Sequence, residues 1–393
     1  MKGSPRWFGI LLFLFSLSAF SQNGSPCFVQ GSALVHEHSL QAQGRSERLS
    51  IPVVIHIVLP EGTKGPSESN ILSQIDALNQ NFQKYQSAHL VPKRFRSSIG
   101  IPDIEFCIAS IDPEGDPHPG ITRRTTSIPN IGQHIFSDGR QSVHHTVLDG
   151  QDAWDTDRYL NIWVAEIESF AARTNFPGAG RPDEDGIVID PDFFGKVKET
   201  SSRFLEGRTL VHEIGHYLNL QHPWGNAGCN SDDGLDDTPF QDGPYFGCAS
   251  PSTTMSCGSI DMIQNFMQFS DDPCLLYFTR DQVQMMRTIL QSVRSGVVDN
   301  GLAQCSGVSK GPFEKIIIQY DANRFRIFIS GLKKDENYRI RTFNMGGQLA
   351  HEFNVHDQYT AEIQSRFFPN GIYVVVVEGP TAIKRQKISV FRP

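Results

Sequence analysis

The sequence predicts an α/β (α+β) domain built on a twisted mixed sheet, followed by a smaller all-β sandwich. Three features carry that expectation. β-branched runs alternate with helically spaced apolar residues up to about residue 293, residues 299–312 turn to Gly, Ser, Asp and Lys, and short alternating strands then recur to the C-terminus. The boundaries that follow are a main domain at 49–298, a linker at 299–312 and a sandwich at 313–393.

At the N-terminus, Lys2 and Arg6 precede an apolar run from Trp7 to Phe20, and Ala19 and Ser21 place small residues where a signal peptidase reads. Residues 1–21 therefore read as a secretory signal; the run is too short for a membrane anchor, and no later stretch approaches the length of a span. The formal net charge of −8, with no basic stripe, argues against a nucleic-acid partner. Seven cysteines in an exported chain point to disulfides, and the odd count leaves one thiol.

Residues 51–58 (IPVVIHIV) form a β-branched run expected to be a strand. A helix is expected over 67–82, because Ser67 is a good N-cap and Ile71, Ile75, Leu78 and Phe82 follow at helical spacing. Residues 104–108, 159–164 and 186–189 supply further strands, and residues 280–293 a closing helix. The sandwich strands are expected at 316–320, 324–329, 338–343, 360–363, 371–377 and 384–390.

Residues 212–222 read HEIGHYLNLQH. If 212–219 is helical, His212 and His216 stand one turn apart and can share a metal, with Glu213 beside the open coordination position. His222 joins them only if the chain turns back near Asn219, and Asn tolerates the left-handed conformation that such a turn needs. With 13 His in 393 residues, chance alone yields H-E-x-x-H roughly twice in a hundred such chains. Zn2+ held by three neutral imidazoles lowers the pKa of a bound water, and Glu213 is placed to take its proton and pass it to a leaving amine.

The extended motif resembles the metzincin clan of zinc peptidases, whose second mark is a methionine in a tight turn beneath the metal. Met267, within residues 265–274 (NFMQFSDDPC), falls there. Within the clan the chain is similar to the pappalysin, or cytophagalysin, family. The likeness spans about residues 27–293 and rests on 51–56 (IPVVIH), 153–164 (AWDTDRYLNIWV), 185–189 (DGIVI) and the SDDPC segment leading to Phe278 and Thr279. It implies a metzincin-like catalytic domain that cleaves peptides or proteins, with substrate paired to an edge strand at 185–190.

The same resemblance implies disulfides Cys229–Cys257 and Cys248–Cys274, and structural Ca2+ near Asp232, Asp233, Asp236, Asp237 and Thr238. It also implies a propeptide over 22–48 in which Cys27 takes the fourth zinc position; a disulfide from Cys27 to Cys107 or Cys305 is the competing assignment. Two positions depart from the family pattern. Asn219 stands where Gly is usual, and Phe269 stands where a Tyr hydroxyl often approaches the metal.

The C-terminal sandwich resembles sorting domains of the type IX secretion system, through residues 343–348 (FNMGGQ), 369–374 (PNGIYV) and 384–390. That likeness implies secretion machinery as a partner and a secreted or surface-attached product; an accessory carbohydrate-binding module is the competing reading. The expectation for the whole is a secreted zinc metalloendopeptidase with no transmembrane segment in the mature chain. The alternative is an exported, surface-attached zinc-binding protein whose catalysis is weakened or lost through Asn219 and Phe269.

Overall fold

The computed structural model describes residues 27–33, 48–84, 88–116, 118–196, 203–204, 206–298 and 300–303, and towards the C-terminus 317–321, 326–330, 332, 337–344, 348–356, 358, 360–364, 368–379 and 383–390. The expected signal at 1–21, most of the expected propeptide and linker, and Cys305 lie outside the described residues. In chain order the first region forms β1 (Cys27–Gln30), β2 (Leu49–Pro60), α1 (Glu68–Gln83), β3 (Ile99–Gly100), β4 (Ile104–Ile108), β5 (Ile121–Thr126) and β6 (Leu160–Ala165). It continues through β7 (Ala172–Asn175), β8 (Ile187–Ile189), α2 (Arg208–Tyr217), β9 (Met255–Ser256), β10 (Ser259–Ile260), β11 (Phe278–Thr279) and α3 (Arg280–Gln291).

A seven-stranded mixed sheet organises this region in the order β1-β7-β8-β6-β2-β4, with β5 beside the second half of β2. β2 is its spine: β4 and then β5 pair along one flank and β6 along the other, all parallel. A strand paired on both sides and covered on both faces is mostly apolar, which is why its Val- and Ile-rich run is buried from Ile51 to Leu59, with His56 its one polar side chain. β7 alone turns antiparallel to its neighbour β8, and β1 runs parallel to β7 at the sheet's end.

This order corrects one expectation. The strand at 187–189 is interior, flanked by β6 and β7, and on that side the sheet ends at β1. β1, β5 and β7 were not expected as strands at all; β7 (ARTN) is four residues long and carries none of the apolar run that marks a buried strand.

α1 and α2 cover one face, packing Ile71, Leu78, Leu210 and Ile214 into a core with Ile55, Ile162 and Ile187 of the sheet. Ser67 caps α1 by accepting from Asn70 N at 3.2 Å. The other face gathers Val58, Ile131, Val143, Trp163 and Val188. His56 is buried in the spine; its Nε2–H donates to Asn161 Oδ1 at 2.9 Å while Nδ1 pairs with the Thr122 hydroxyl at 2.8 Å. Burial pushes this imidazole down to about 4.

α3 starts on a capping box: Thr279 Oγ1 accepts from Gln282 N at 3.2 Å, and Gln282 Oε1 accepts from Thr279 N at 2.9 Å. Between α2 and α3 the chain has little regular structure beyond the two-residue strands β9, β10 and β11 and short 3-10 turns. Disulfides Cys229–Cys257 and Cys248–Cys274 staple it, with Cα atoms 5.2 Å and 5.7 Å apart, in the pairing expected. A small domain segment with this few apolar residues needs such cross-links.

The C-terminal region holds β12 (Ile317–Asp321), β13 (Arg326–Ser330), β14 (Asn337–Asn344), β15 (Leu349–His356), β16 (Thr360–Gln364), β17 (Gly371–Glu378) and β18 (Ile383–Val390). They form two antiparallel sheets, β12-β13-β16 and β15-β14-β17-β18, which share one core containing Ile327, Ile329, Ile363, Ile340, Val375 and Val377. β15 was not expected: Phe353 and Val355 sit among His, Glu and Asn, and most of its side chains face outward. No helix among the described residues is long and apolar enough to cross a membrane.

Candidate metal centre and active site

α2 begins at Arg208 and ends at Tyr217, so it starts before the motif and stops two residues earlier than 219. Its N-cap is Gly207, which offers no side chain; the exposed N–H groups are met from elsewhere, by Asp272 Oδ2 accepting from Glu206 N at 2.9 Å and Arg208 N at 3.1 Å. At the other end Arg294 donates Nε–H to Tyr217 O at 2.9 Å, lies 3.5 Å over the Tyr217 ring and pairs with Asp185. Both ends of the helix are thus fixed by distant residues.

Asn219 has φ 76°, the left-handed turn that the motif required. It brings Leu220 N back to Gly215 O at 2.9 Å and swings His222 towards the helix. Each helical histidine donates its Nδ1–H to a main-chain carbonyl: His212 to Phe266 O at 2.7 Å, and His216 to Leu220 O at 2.7 Å. That fixes the tautomer and leaves Nε2 as a bare acceptor pointing away from the carbonyl.

The three Nε2 atoms converge: His212 to His216 is 3.0 Å, His212 to His222 is 3.2 Å and His216 to His222 is 3.0 Å. Cys27 Sγ completes a tetrahedron, 3.4 Å from His212, 3.7 Å from His216 and 3.4 Å from His222. Acceptor nitrogens this close repel unless a cation sits among them. Zinc with its usual bonds of about 2.1 Å to nitrogen and 2.3 Å to sulfur needs edges of about 3.4 Å and 3.6 Å, within about 0.4 Å of those found. Among the described residues this is the one group of His, Cys, Asp and Glu side chains that converges in this way.

Cys27 is a buried thiol and not half of a disulfide, which decides against a bridge to Cys107 or Cys305; Cys107 is itself disulfide-bonded. Burial first, and the Glu213 carboxylate second, favour its neutral form, so only a cation among the imidazoles makes the thiolate the better state. Glu213 is fully buried, and neither carboxylate oxygen has a hydrogen-bond partner among the described residues. Burial raises its pKa well above the carboxylate range. A cleft beside it is lined by Cys27, Phe204, Thr209, Gln268, Phe269 and Leu275.

Met267 lies at the third position of a tight turn closed by Gln268 N to Asn265 O at 3.0 Å. Its sulfur sits so near the helix that a Cβ on Gly215 would meet it at 2.3 Å, so any larger residue between the two histidines displaces the methionine. Asn265 pins the turn, its Oδ1 accepting from Met267 N at 2.9 Å and its Nδ2–H2 donating to Gln282 Oε1 at 2.8 Å. Asn265, Gln282 and the carbonyls of Phe266 and Leu220 escaped the sequence reading, because main-chain acceptors and buried amides leave no spacing pattern. Phe269 faces His222 at 4.9 Å between ring centroids, and Trp224 stacks on the same imidazole at 4.4 Å.

The acidic residues 232–238 do not converge on one point. Asp233 Oδ1 accepts from the Thr238 hydroxyl and from Leu235 N, Asp237 Oδ2 accepts from Asp281 N at 3.1 Å, and Asp232 Oδ1 accepts from Gly234 N at 3.0 Å. Asp233 Oδ2 and Asp237 Oδ1 are buried without a hydrogen-bond partner among the described residues, and burial pushes Asp233 up to about 7.

A mixed sheet backing a helix that aims two imidazoles at a third, over a methionine turn, defines a metallopeptidase of the metzincin kind. Residues 145–291 match the Peptidase M43 model described as pregnancy-associated plasma protein-A. Mature mirolysin of Tannerella forsythia, solved with a cleaved peptide, is similar at 35% identity and a TM-score of 0.61, covering 66% of this chain and 99% of that one. Promirolysin of the same organism matches at 34% identity and a TM-score of 0.61, over 66% of this chain and 87% of that one. The chain belongs to the Peptidase M43 family of metalloproteases.

An extracellular metalloprotease of Arthroderma benhamiae is 34% identical over 126 residues, which are 31% of this chain and 42% of that protein. One of Aspergillus oryzae is 40% identical over 101 residues, 24% of this chain and 31% of that protein. The chain thus spans less than half the length of these curated relatives, which are named as extracellular.

Proposed function

We propose that the chain is a secreted zinc metalloendopeptidase held latent by its own leading strand. His212, His216 and His222 hold the ion, and Met267 supports it from beneath the helix. A zinc ion there supplies Lewis-acid activation of a water molecule and of the scissile carbonyl. Glu213 would take the water's proton and return it to the leaving amine; its two oxygens have no hydrogen-bond partner among the described residues and are open to that exchange, and a cation beside them would offset the burial that disfavours the carboxylate. The observation that carries the reading is the cluster of three Nε2 acceptors 3.0–3.2 Å apart, two of them locked in the metal-binding tautomer.

In the latent chain Cys27 occupies the fourth position and β1 covers the outer edge of β7. Once β1 leaves, the outward N–H and C=O groups of β7 accept an extended peptide or protein segment through its main chain, which favours broad sequence tolerance. The boundaries are a signal at 1–21, a propeptide at 22–48, the catalytic domain at 49–298, a linker at 299–312 and a C-terminal domain at 313–393 that engages secretion machinery. Its own closed core supports the separation of that last domain. We place a structural Ca2+ at Asp233 and Asp237, each with a buried oxygen that has no hydrogen-bond partner among the described residues; Asp232, Asp236 and Thr238 frame the same loop, and an ion there would have to draw together carboxylates that do not now converge.

The test is hydrolysis of casein by the processed enzyme, with and without a chelator. Activity that disappears with chelator and in Glu213→Ala is the expected result, a loss of at least about a thousandfold for removal of the general base. One equivalent of zinc bound with no cleavage would instead establish the second reading, a zinc-binding protein disabled by Phe269 in place of a hydroxyl.

A further inference from the structure

Cys27 and its neighbour Phe28 point to opposite faces of β1, as successive strand residues must. Cys27 enters the metal centre, while Phe28 lies on the far face with its ring against Phe170, centroids 5.8 Å apart and planes inclined by 27°. Phe28 is nevertheless 54% exposed, so this contact is made at an open rim and not in a closed core. Phe170 itself is partly buried against the cluster that contains Trp163 and Val188, which holds its ring in place before anything docks.

Charge has little to offer at this rim. The residue opposite Phe28 in register is Arg173, which is buried and already donates Nε–H to Gly132 O at 2.9 Å and Nη2–H to His144 Nε2 at 3.2 Å. An acidic side chain there finds no available cation from Arg173, and an apolar one finds an aromatic face. Any extended peptide that replaces β1 along β7 alternates with the same period, whichever way it runs.

We infer that Phe170 is a specificity-determining residue, whose rim outside β7 selects an aromatic or large aliphatic substrate side chain one residue from the position at the metal. This rests on the reading of the chain as a peptidase that binds substrate along β7. Phe28 is the occupant in the latent chain, and a substrate side chain of the same character takes its place.

Two measurements test it. In the first, the enzyme processed by limited proteolysis of the full chain ahead of Leu49 is given peptides carrying Phe, Leu, Ala or Asp at each residue flanking the cleaved bond. Phe170→Ala lowers kcat/KM for the Phe peptide about fivefold, the scale of an offset aromatic pair, and leaves the Ala peptide unchanged. Equal losses on all peptides, or none, overturn the assignment even though cleavage persists.

The second uses zinc-loaded Glu213→Ala protein, cleaved ahead of Leu49 and freed of its leading segment in the same way, and the synthetic peptide 25–33, so it reads binding whether or not the enzyme cleaves. Phe28→Ala in the peptide weakens calorimetric affinity about fivefold against Phe170 and not against Phe170→Ala. Equal weakening against both proteins overturns the proposal. Failure of every peptide to be cleaved by unaltered enzyme counts against the peptidase reading instead.

Discussion

The sheet-backed region and the loop-rich stretch between α2 and α3 meet at the metal centre, and different physics holds each. The first buries a continuous apolar core of sheet and helix residues. The second, residues 222–277, lends Leu235, Phe266, Met267 and Leu275 to that core and is further tied by two disulfides and polar contacts such as Gln268 to Gln241 and Tyr245 to Asp261. His212 and His216 come from the first, while His222, Met267 and the Phe266 carbonyl come from the second. The ligand geometry is therefore a property of the seam, and it depends on the weaker partner staying in register with the stronger.

The largest expected effect falls on the cross-linked side. Replacing Cys248 and Cys274 by Ser opens a link across a sequence separation of 26, which on loop-closure grounds costs about 3.5 kcal/mol. Amide hydrogen exchange should accelerate within 222–277 while the sheet strands keep their protection. Uniform acceleration in both regions would erase the contrast drawn above.

On the sheet side the comparable lever is His56. Its pKa is about 4 in the folded protein against about 6.5 when unfolded, so between those values only the unfolded chain binds the proton. Its contribution is therefore present above pH 6.5 and is lost as pH falls towards 4, up to about 3 kcal/mol. The groups that perturb it include His118 and Asp152, with Asn161 and Thr122 on the ring nitrogens. Urea unfolding of zinc-loaded wild type and His56→Gln should give a shallower acid slope for the variant; parallel slopes would mean that the core accepts the charge.

The smallest effect sits at the seam. Asn219→Gly keeps the left-handed turn and should change stability by no more than about 1 kcal/mol, with zinc affinity held. A tenfold drop in affinity would mean that the side chain, through its Nδ2 contact to Met285 Sδ at 3.5 Å, and not the φ angle, keeps His222 in place.

What the sequence disclosed follows the same division. The strands at 51–58 and 104–108 and the helices at 67–82 and 280–293 were legible, because burial against a sheet imposes periodicity on the side chains. The convergence of His212, His216 and His222 was legible because a shared point on a helix needs specific residue types at a fixed helical interval. The expected edge strand was misread for an instructive reason: Ile187, Val188 and Ile189 form an apolar run because they are paired on both sides, whereas their neighbour towards the sheet's end, ARTN at 172–175, reads as a loop. β1 was unreadable as a strand because its pairing partner lies 145 residues away in the register Cys27 to Ala172. Phe269 was flagged as a missing hydroxyl, and the structure gives it a different setting, packed with Trp224 and Phe246 around His222.

The way α2 is capped also bears on the order in which the molecule can be made. A helix of ten residues is too short to persist by itself in water, and this one has a glycine where its own N-cap should be. Its start is secured by Asp272 and its end by Arg294, both translated long after His216. A growing chain therefore cannot poise its first two imidazoles until residue 294 has emerged, so metal capture is deferred until the whole catalytic region can close around the ion.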